Sequence, residues 1–302
     1  MNALKIYLTS PDLFERVYVS LNGGLGAADL PGEFSYDGRI CFNLLESSSS
    51  RVAIDLLESG IPNTDSAYLD QSYENLHNFS YRHFKTIWFN PTGELAADDF
   101  PRHDAEIRDA SELININSRL NKPSLAQCLA WLDEWEVPGN VRAHSEVVAR
   151  SAYILAVMMR NRGVSVDPVL THRGGMLHDI DKIATLKMDG AHGRMGAEFL
   201  DARGYPRLAE ILREHIMTRV MRPEARDWGW EVRLVFFCDK LVEEDQIVPF
   251  DQRLDALKIR YPYYVEKMER AESAIWNLSD EICEILDIPS HAGLIEMLQT
   301  YP

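Results

Sequence analysis

Cysteine is scarce: the 302 residues hold four, Cys41, Cys128, Cys238 and Cys283, far apart and without a CxxC pair. That spacing argues against a structural zinc knuckle and fits reduced thiols in a cytoplasmic protein. Long apolar runs are also missing. No stretch approaches the roughly 20 residues that cross a bilayer, and the first residues, MNALKIYLTSPDLFERV, lack the pattern of a signal peptide. The expectation is therefore a cytoplasmic protein with no membrane partner. Positive charge is short as well, 31 Lys and Arg against 47 Asp and Glu, for a formal net charge of −16. Such a surface repels polyphosphate backbones, which argues against duplex nucleic acid. A small anionic substrate stays open, because bound cations invert the local field.

What is present reads as two domains, a number the length accommodates. Up to about Leu120 the chain is mixed. KIYLTS (5–10), RICFNLL (39–45) and KTIWFN (85–90) have the β-branched and aromatic content of strands. Pro11 to Leu21, Ser50 to Ser59 and Tyr73 to Arg82 have helical spacing, and the alternation predicts a small α/β layer with parallel pairing. HDAEIRDASELI (103–114) is expected as a closing amphipathic helix. Pro123 and Ser124 mark the boundary, since proline disfavours helix at Lys122 and serine can cap the next helix. From 124 to 302 the pattern is helical throughout, with segments at 125–135, 142–161, 166–183, 191–203, 206–217, 229–244, 251–259, 262–287 and 290–300. The expected fold class is thus two-domain α+β: a Rossmann-like α/β module over 1–120 and an all-α domain over 124–302.

Five of the nine histidines fall between 144 and 215. His144 continues an apolar helical stripe through Val148, Leu155 and Met158, where a lone histidine is ordinarily a hydrogen-bonded core residue. His178-Asp179 in GGMLHDIDKI is harder to explain by packing. Adjacent helical residues diverge by about 100°, so both reach one ion only if it lies beside the helix. Gly174 and Gly175 would let another element approach. Asp239 ends the nearly all-apolar run VRLVFFCDKL, where an unpaired carboxylate costs several kcal/mol. It needs a metal, a proton or a cation such as Arg173 or Arg233.

Together His144, His178-Asp179 and Asp239, in the segments RAHSEVVARSAYILA, GGMLHDIDKI and VFFCDKL, resemble the H…HD…D signature of HD-domain metal-dependent phosphohydrolases over roughly 140–245. His192, opening HGRMGAEFL, and His215, closing LAEILREH, extend the resemblance to the six-ligand H…HD…H…H…D pattern. That pattern occurs in the YqeK-like branch, which hydrolyses symmetrical dinucleoside tetraphosphates, and in HD-GYP cyclic-dinucleotide phosphodiesterases. Gly204-Tyr205-Pro206 lacks the context of a GYP element and reads as a turn between helices. The resemblance implies metal ligation by His144, His178, Asp179, His192, His215 and Asp239. It also implies one or two divalent ions, with Asp179 bridging a pair, and an activated water attacking phosphorus. Imidazole with carboxylate suits Fe, Mn, Zn, Co or Ni better than Mg. Lys182 matches the family's HDxxK lysine and is expected on a phosphate oxygen, with Arg219 assisting. Asp181 replaces a small residue common in relatives and is expected to be solvated or to support a ligand.

In the first half, KTIWFNPTGELAADDFPRHDAEIRDASEL resembles the last strand and helix of haloacid-dehalogenase-like phosphatases. Tyr68 to Leu76 resembles their fourth motif, with Gln71 where a second acid belongs, and Thr9 or Ser10 is similar to the second-motif hydroxyl. No Asp-x-Asp occurs before residue 120, so the nucleophile is missing and the module is expected to be catalytically dead. It is left to structure, oligomerisation or walling the neighbouring cleft. The expected function is cleavage of a phosphate ester or anhydride of a nucleotide or other small phosphorylated metabolite. A non-hydrolytic nucleotide and metal sensor and a mixed-valent di-iron oxygenase are the alternatives, and a homo-oligomer stays open.

Overall fold

The computed structural model describes residues 3–22, 31–45, 66–80, 85–96, 100–186, 188 and 192–301. The chain divides into two compact units, Met1–Ala97 with Pro101–Gln127, and Asp98–Phe100 with Cys128–Pro302.

The first unit is built on a sheet: β1 (Leu4–Leu8), β2 (Glu33–Tyr36), β3 (Ile40–Leu44), β4 (Ser66–Asp70), β5 (Lys85–Phe89) and β6 (Ala105–Ile107), ordered β2-β3-β1-β4-β5-β6. All pairs are parallel except β2 with β3. Strands buried on both faces lose the polar alternation of a half-exposed strand, and every residue of β4 is buried. Helices α1 (Pro11–Asn22) and α2 (Tyr73–Ser80) follow β1 and β4, with α3 (Ile116–Leu120) later in the unit, and Leu13, Phe14 and Val17 of α1 join the sheet core.

The closing helix expected over 103–114 does not form. Ala105 and Ile107 turn into the core as β6, and Asp104 N and Asn90 N tie this segment to β5. The turn of helix starts only at Ala110, because Asp109 and Glu112 form a capping box there. The Ser50–Ser59 helix lies outside the described residues, as do the last residues of the Tyr73–Arg82 segment.

The second unit is helical: α4 (Leu125–Glu134), α5 (Gly139–Asn161), α6 (Pro168–Leu177), α7 (Lys182–Thr185), α8 (Arg194–Asp201), α9 (Pro206–Glu214), α10 (Trp230–Asp239), α11 (Phe250–Arg260), α12 (Val265–Leu286) and α13 (His291–Thr300). Three details differ from the pattern reading. The 166–183 helix is broken: α6 ends at Leu177, residues 178–181 form a turn, and α7 restarts at Lys182. A two-residue hairpin, β7 (Val242–Glu243) with β8 (Gln246–Ile247), interrupts the helices. On α5 it is Met159 that enters the core, while Met158 is half-buried.

Helix α6 is buried along its whole length. Asp167 caps it, accepting from Leu170 N at 3.1 Å, and Pro168 supplies the first helical residue. It crosses α5 closely, since a Cβ on Gly175 would lie 2.5 Å from Ala149 Cα. That crossing sets His144 on α5 beside His178 at the end of α6, with ring centroids 5.5 Å apart.

Candidate metal centre

Five chain segments bring the six sequence-predicted ligands together. His144 comes from the first turns of α5, His178 and Asp179 from the turn after α6, His192 from just before α8, His215 from just after α9, and Asp239 from the end of α10. Two sets have ligand atoms that all lie within 4.8 Å of one another: His144, His178 and Asp179, and Asp179, His192 and His215. Asp179 is common to both. Asp239 joins the first set, its Oδ1 3.1 Å from His144 Nε2 and 3.7 Å from His178 Nε2.

All four imidazoles are oriented in the same way. His144 Nδ1 donates to Glu244 O at 3.0 Å, His178 Nδ1 to Gly175 O at 2.7 Å, and His215 Nδ1 to Leu212 O at 2.6 Å. His192 Nδ1 donates to Asp181 Oδ1 at 2.9 Å. Carbonyls and carboxylates only accept, so each Nδ1 carries the proton and each Nε2 turns a lone pair inward. Those lone pairs face other acceptors. His192 Nε2 and His215 Nε2 are 3.2 Å apart, His192 Nε2 is 3.1 Å from Asp179 Oδ1, and His178 Nε2 is buried with no hydrogen-bond partner. Acceptors converging in a buried space require positive charge among them. A proton can serve locally, and a divalent cation serves the whole set, so the donors present fit a transition metal.

The electrostatics agree. Burial alone would raise the Asp179 carboxyl, yet His178, Lys182, His192 and His215 hold it well below the usual range. Burial likewise opposes ionisation of Asp239, and Lys240 with His144 overcomes it. His215 is pushed down to about 4, chiefly by burial. His192 is raised to about 9 by Asp179 and Asp181 against its own burial. Without metal, one proton therefore sits on His192, where the ion would bind.

Lys182 stands on Asp179, Nζ to Oδ2 at 2.6 Å. Arg219 lies on the short turn Met217–Met221 beyond His215, half-buried, and its side chain makes no hydrogen bond or ion pair with the cluster among the described residues. Neither arginine considered for Asp239 pairs with it. Arg233 is taken by Glu281, and Arg173 contacts His172. The cation on Asp239 is Lys240, buried, which also donates to His215 O at 2.9 Å.

Two supports escaped the sequence reading, and a third was one of its two options. Lys240 ties Asp239 to His215. Glu244, which holds His144, offers its carbonyl from the β7–β8 turn with φ of 55°, a left-handed conformation that costs a residue with a Cβ roughly 1 kcal/mol. Asp181, expected to be solvated or to support a ligand, does the latter and is fully buried. Besides His192, it accepts from Gly193 N at 3.0 Å and Gly196 N at 2.8 Å. The signal for it was HGRMG: Gly193 has φ of 75°, and a Cβ there would lie 2.5 Å from Leu212 O. Asp181→Ala is expected to weaken metal binding about 10- to 100-fold by freeing the His192 ring, measured by competition with a chelator. Unchanged affinity would show that Asp181 only packs.

A buried histidine–aspartate cluster between helices defines a candidate metal site, and the comparisons give it a family. Residues 141–244 match the family described as HD domain, a span that opens just before His144 and closes just after Asp239. An uncharacterized protein of Methanocaldococcus jannaschii is 32% identical over 158 residues, 49% of this chain and 90% of that protein. Ribonuclease Y of Fervidobacterium nodosum is 43% identical over 65 residues, 22% of this chain but only 12% of the relative. No solved structure matches. This chain belongs to the HD-domain family, whose members are typically metal-dependent hydrolases. Among the described residues no helix is long and apolar enough to cross a membrane.

Proposed function

We propose that this chain hydrolyses a phosphate ester or anhydride of a nucleotide or another small phosphorylated metabolite. The observation that carries the reading is the pair of ligand sets sharing Asp179, with every imidazole turned Nε2-inward. It favours the six-ligand pattern of the YqeK-like branch, with His144, His178, Asp179 and Asp239 around one ion and Asp179, His192 and His215 around a second. Fe, Mn, Zn, Co or Ni suits these donors. Such ions supply Lewis-acid chemistry, polarising a phosphoryl oxygen and lowering the pKa of water.

The chain's own residues do the rest. Asp179, kept ionised, offers both oxygens. Lys182, the partly exposed cation of the cluster, binds a non-bridging phosphate oxygen and orients the group. The tied Nδ1 atoms stop the imidazoles from rotating, so little reorganisation accompanies the reaction. Arg219 is retained as a helper only if substrate draws its side chain inward.

The first unit is read as a degenerate haloacid-dehalogenase-like module without its own chemistry. Asp70 accepts from Tyr68 OH, Ser72 N and Asn75 Nδ2, bonds that leave this acid a structural role.

The test is a substrate panel with the full chain loaded with Mn²⁺ or Fe²⁺: nucleoside mono- and polyphosphates, a dinucleoside tetraphosphate, sugar phosphates and a short single-stranded RNA. Metal-dependent turnover, lost in a His178→Ala, Asp179→Ala double variant, is expected. Tight nucleotide binding without turnover would favour a sensor, and stoichiometric O₂ consumption an oxygenase. Turnover that survives the double variant and dies with Asp70→Ala would move the chemistry to the first unit.

A further inference from the structure

The four imidazoles are not aimed by equally near groups. His178 and His215 donate from Nδ1 to carbonyls three residues back, Gly175 O and Leu212 O, so the helix that ends at each ring also aims it. His192 leans on Asp181, eleven residues back. His144 reaches across the unit: its Nδ1 donates to Glu244 O, a hundred residues on, in the turn of the β7–β8 hairpin. The aim of His144 Nε2 therefore depends on where that hairpin stands against α5.

The hairpin is a weak platform by itself. Each strand has two residues, and an isolated two-stranded hairpin is marginal in water. Glu244 at its turn has φ of 55°, a conformation that a residue with a Cβ leaves when nothing holds it. Side chains hold the hairpin from outside. Gln299 Nε2 donates to Ile247 O on β8 at 2.7 Å. On β7 the hold falls on Glu243, next to Glu244, which pairs with both Arg253 and Arg260. Those arginines are seven residues apart on α11, so they share a helix face, and one carboxylate fastens the hairpin to α11 at two points. The Arg253 side chain is only 6% exposed, where solvent screens the pair little, whereas Arg260 at 46% is the outer half of the grip.

We propose that Glu243 is a positioning residue for the metal centre: gripped by Arg253 and Arg260, its carboxylate keeps the Glu244 carbonyl on His144 Nδ1, and so keeps His144 Nε2 turned into the ligand set that it shares with His178 and Asp179. The role rests on the metal-dependent reading of the cluster, and Glu243 acts on the ion only through His144.

Histidine 15N spectra of the metal-free full chain at mildly alkaline pH test it, with the His144 signals identified by their loss in His144→Gln. Wild type is expected to show His144 as one tautomer, protonated on Nδ1. Glu243→Gln keeps the size of the side chain and removes the charge that the arginines grip. It should give His144 a mixture of both tautomers, while His178 and His215, aimed by their own helices, keep theirs. Mn²⁺ affinity, from competition with a chelator, should fall about tenfold. Arg260→Gln leaves Arg253 paired and strands no buried charge, so it should move His144 the same way by a smaller amount; if Glu243→Gln fails to fold, Arg260→Gln decides alone. A single wild-type tautomer at His144 in the folded variant would overturn the proposal, as would a mixture with Mn²⁺ affinity unchanged. Equal shifts at His144, His178 and His215 would do the same, marking the grip as a support of the whole unit. A wild type that takes up no Mn²⁺ would instead remove the metal reading on which the role stands, whichever tautomer His144 shows.

Discussion

Asp179→Asn is expected to empty the centre and reduce turnover on the order of a thousandfold or more, because one carboxylate serves both ligand sets. Asparagine keeps the shape but loses the charge and one of the two anionic oxygens. His192 and His215 then face each other across 3.2 Å without their shared acid, and His144 and His178 are left with Asp239 alone. Lys182 loses its partner but is exposed enough to turn to water, so the fold should survive. Metal analysis after dialysis, kinetics on the best panel substrate and circular dichroism together check this. A variant that retains both its metal and its turnover would show that the acid between the two sets is not a ligand.

Gly175→Ala is the largest expected effect on stability. The added Cβ would meet Ala149 Cα at 2.5 Å and Ala149 N at 2.8 Å, which are backbone atoms in a long buried helix and cannot step aside. Overpacking of this kind costs about 1–3 kcal/mol and more where the backbone must shift, which lowers Tm by several degrees in a domain of this size. The site should suffer too, since Gly175 O holds His178 Nδ1 and any separation of α5 from α6 parts His144 from His178. Gly174→Ala is the control: its nearest neighbour, Ile211 Cδ1 at 2.7 Å, is the tip of a flexible side chain, so the loss should be smaller. Thermal melts of the metal-free proteins compare them, and equal Tm values would refute the close-crossing argument.

The candidate site was legible where residue chemistry clashed with its surroundings. A histidine in the α5 stripe, an imidazole–carboxylate pair after two glycines, and an acid at the end of VRLVFFCDKL each need a partner that apolar neighbours do not supply. The supporting layer was harder to read. Glu244 acts through a backbone oxygen, which any residue possesses. Lys240 looks like an ordinary charge at a helix end until α9 delivers His215 O to it. Asp181 was visible as a residue, but its burial depends on the glycine N–H groups of α8 folding back.

The same division holds for the fold. β1, β3 and β5 announce themselves through β-branched and aromatic residues, whereas β2 is a four-residue, half-exposed edge strand whose two aromatics, Phe34 and Tyr36, make too short a run. The segment 103–114 has the periodicity of a helix, yet its capping box starts a turn only at Ala110, leaving 105–107 free to complete the sheet.

The two lysines have a bearing on assembly. Lys182 and Lys240 each neutralise one buried acid, Asp179 and Asp239, so the empty polypeptide carries its own counter-ions. Unlike a zinc finger, which collapses only around its ion, this helical unit is expected to mature first and be charged afterwards. The ion it would acquire then depends on what the surrounding solution offers at that moment.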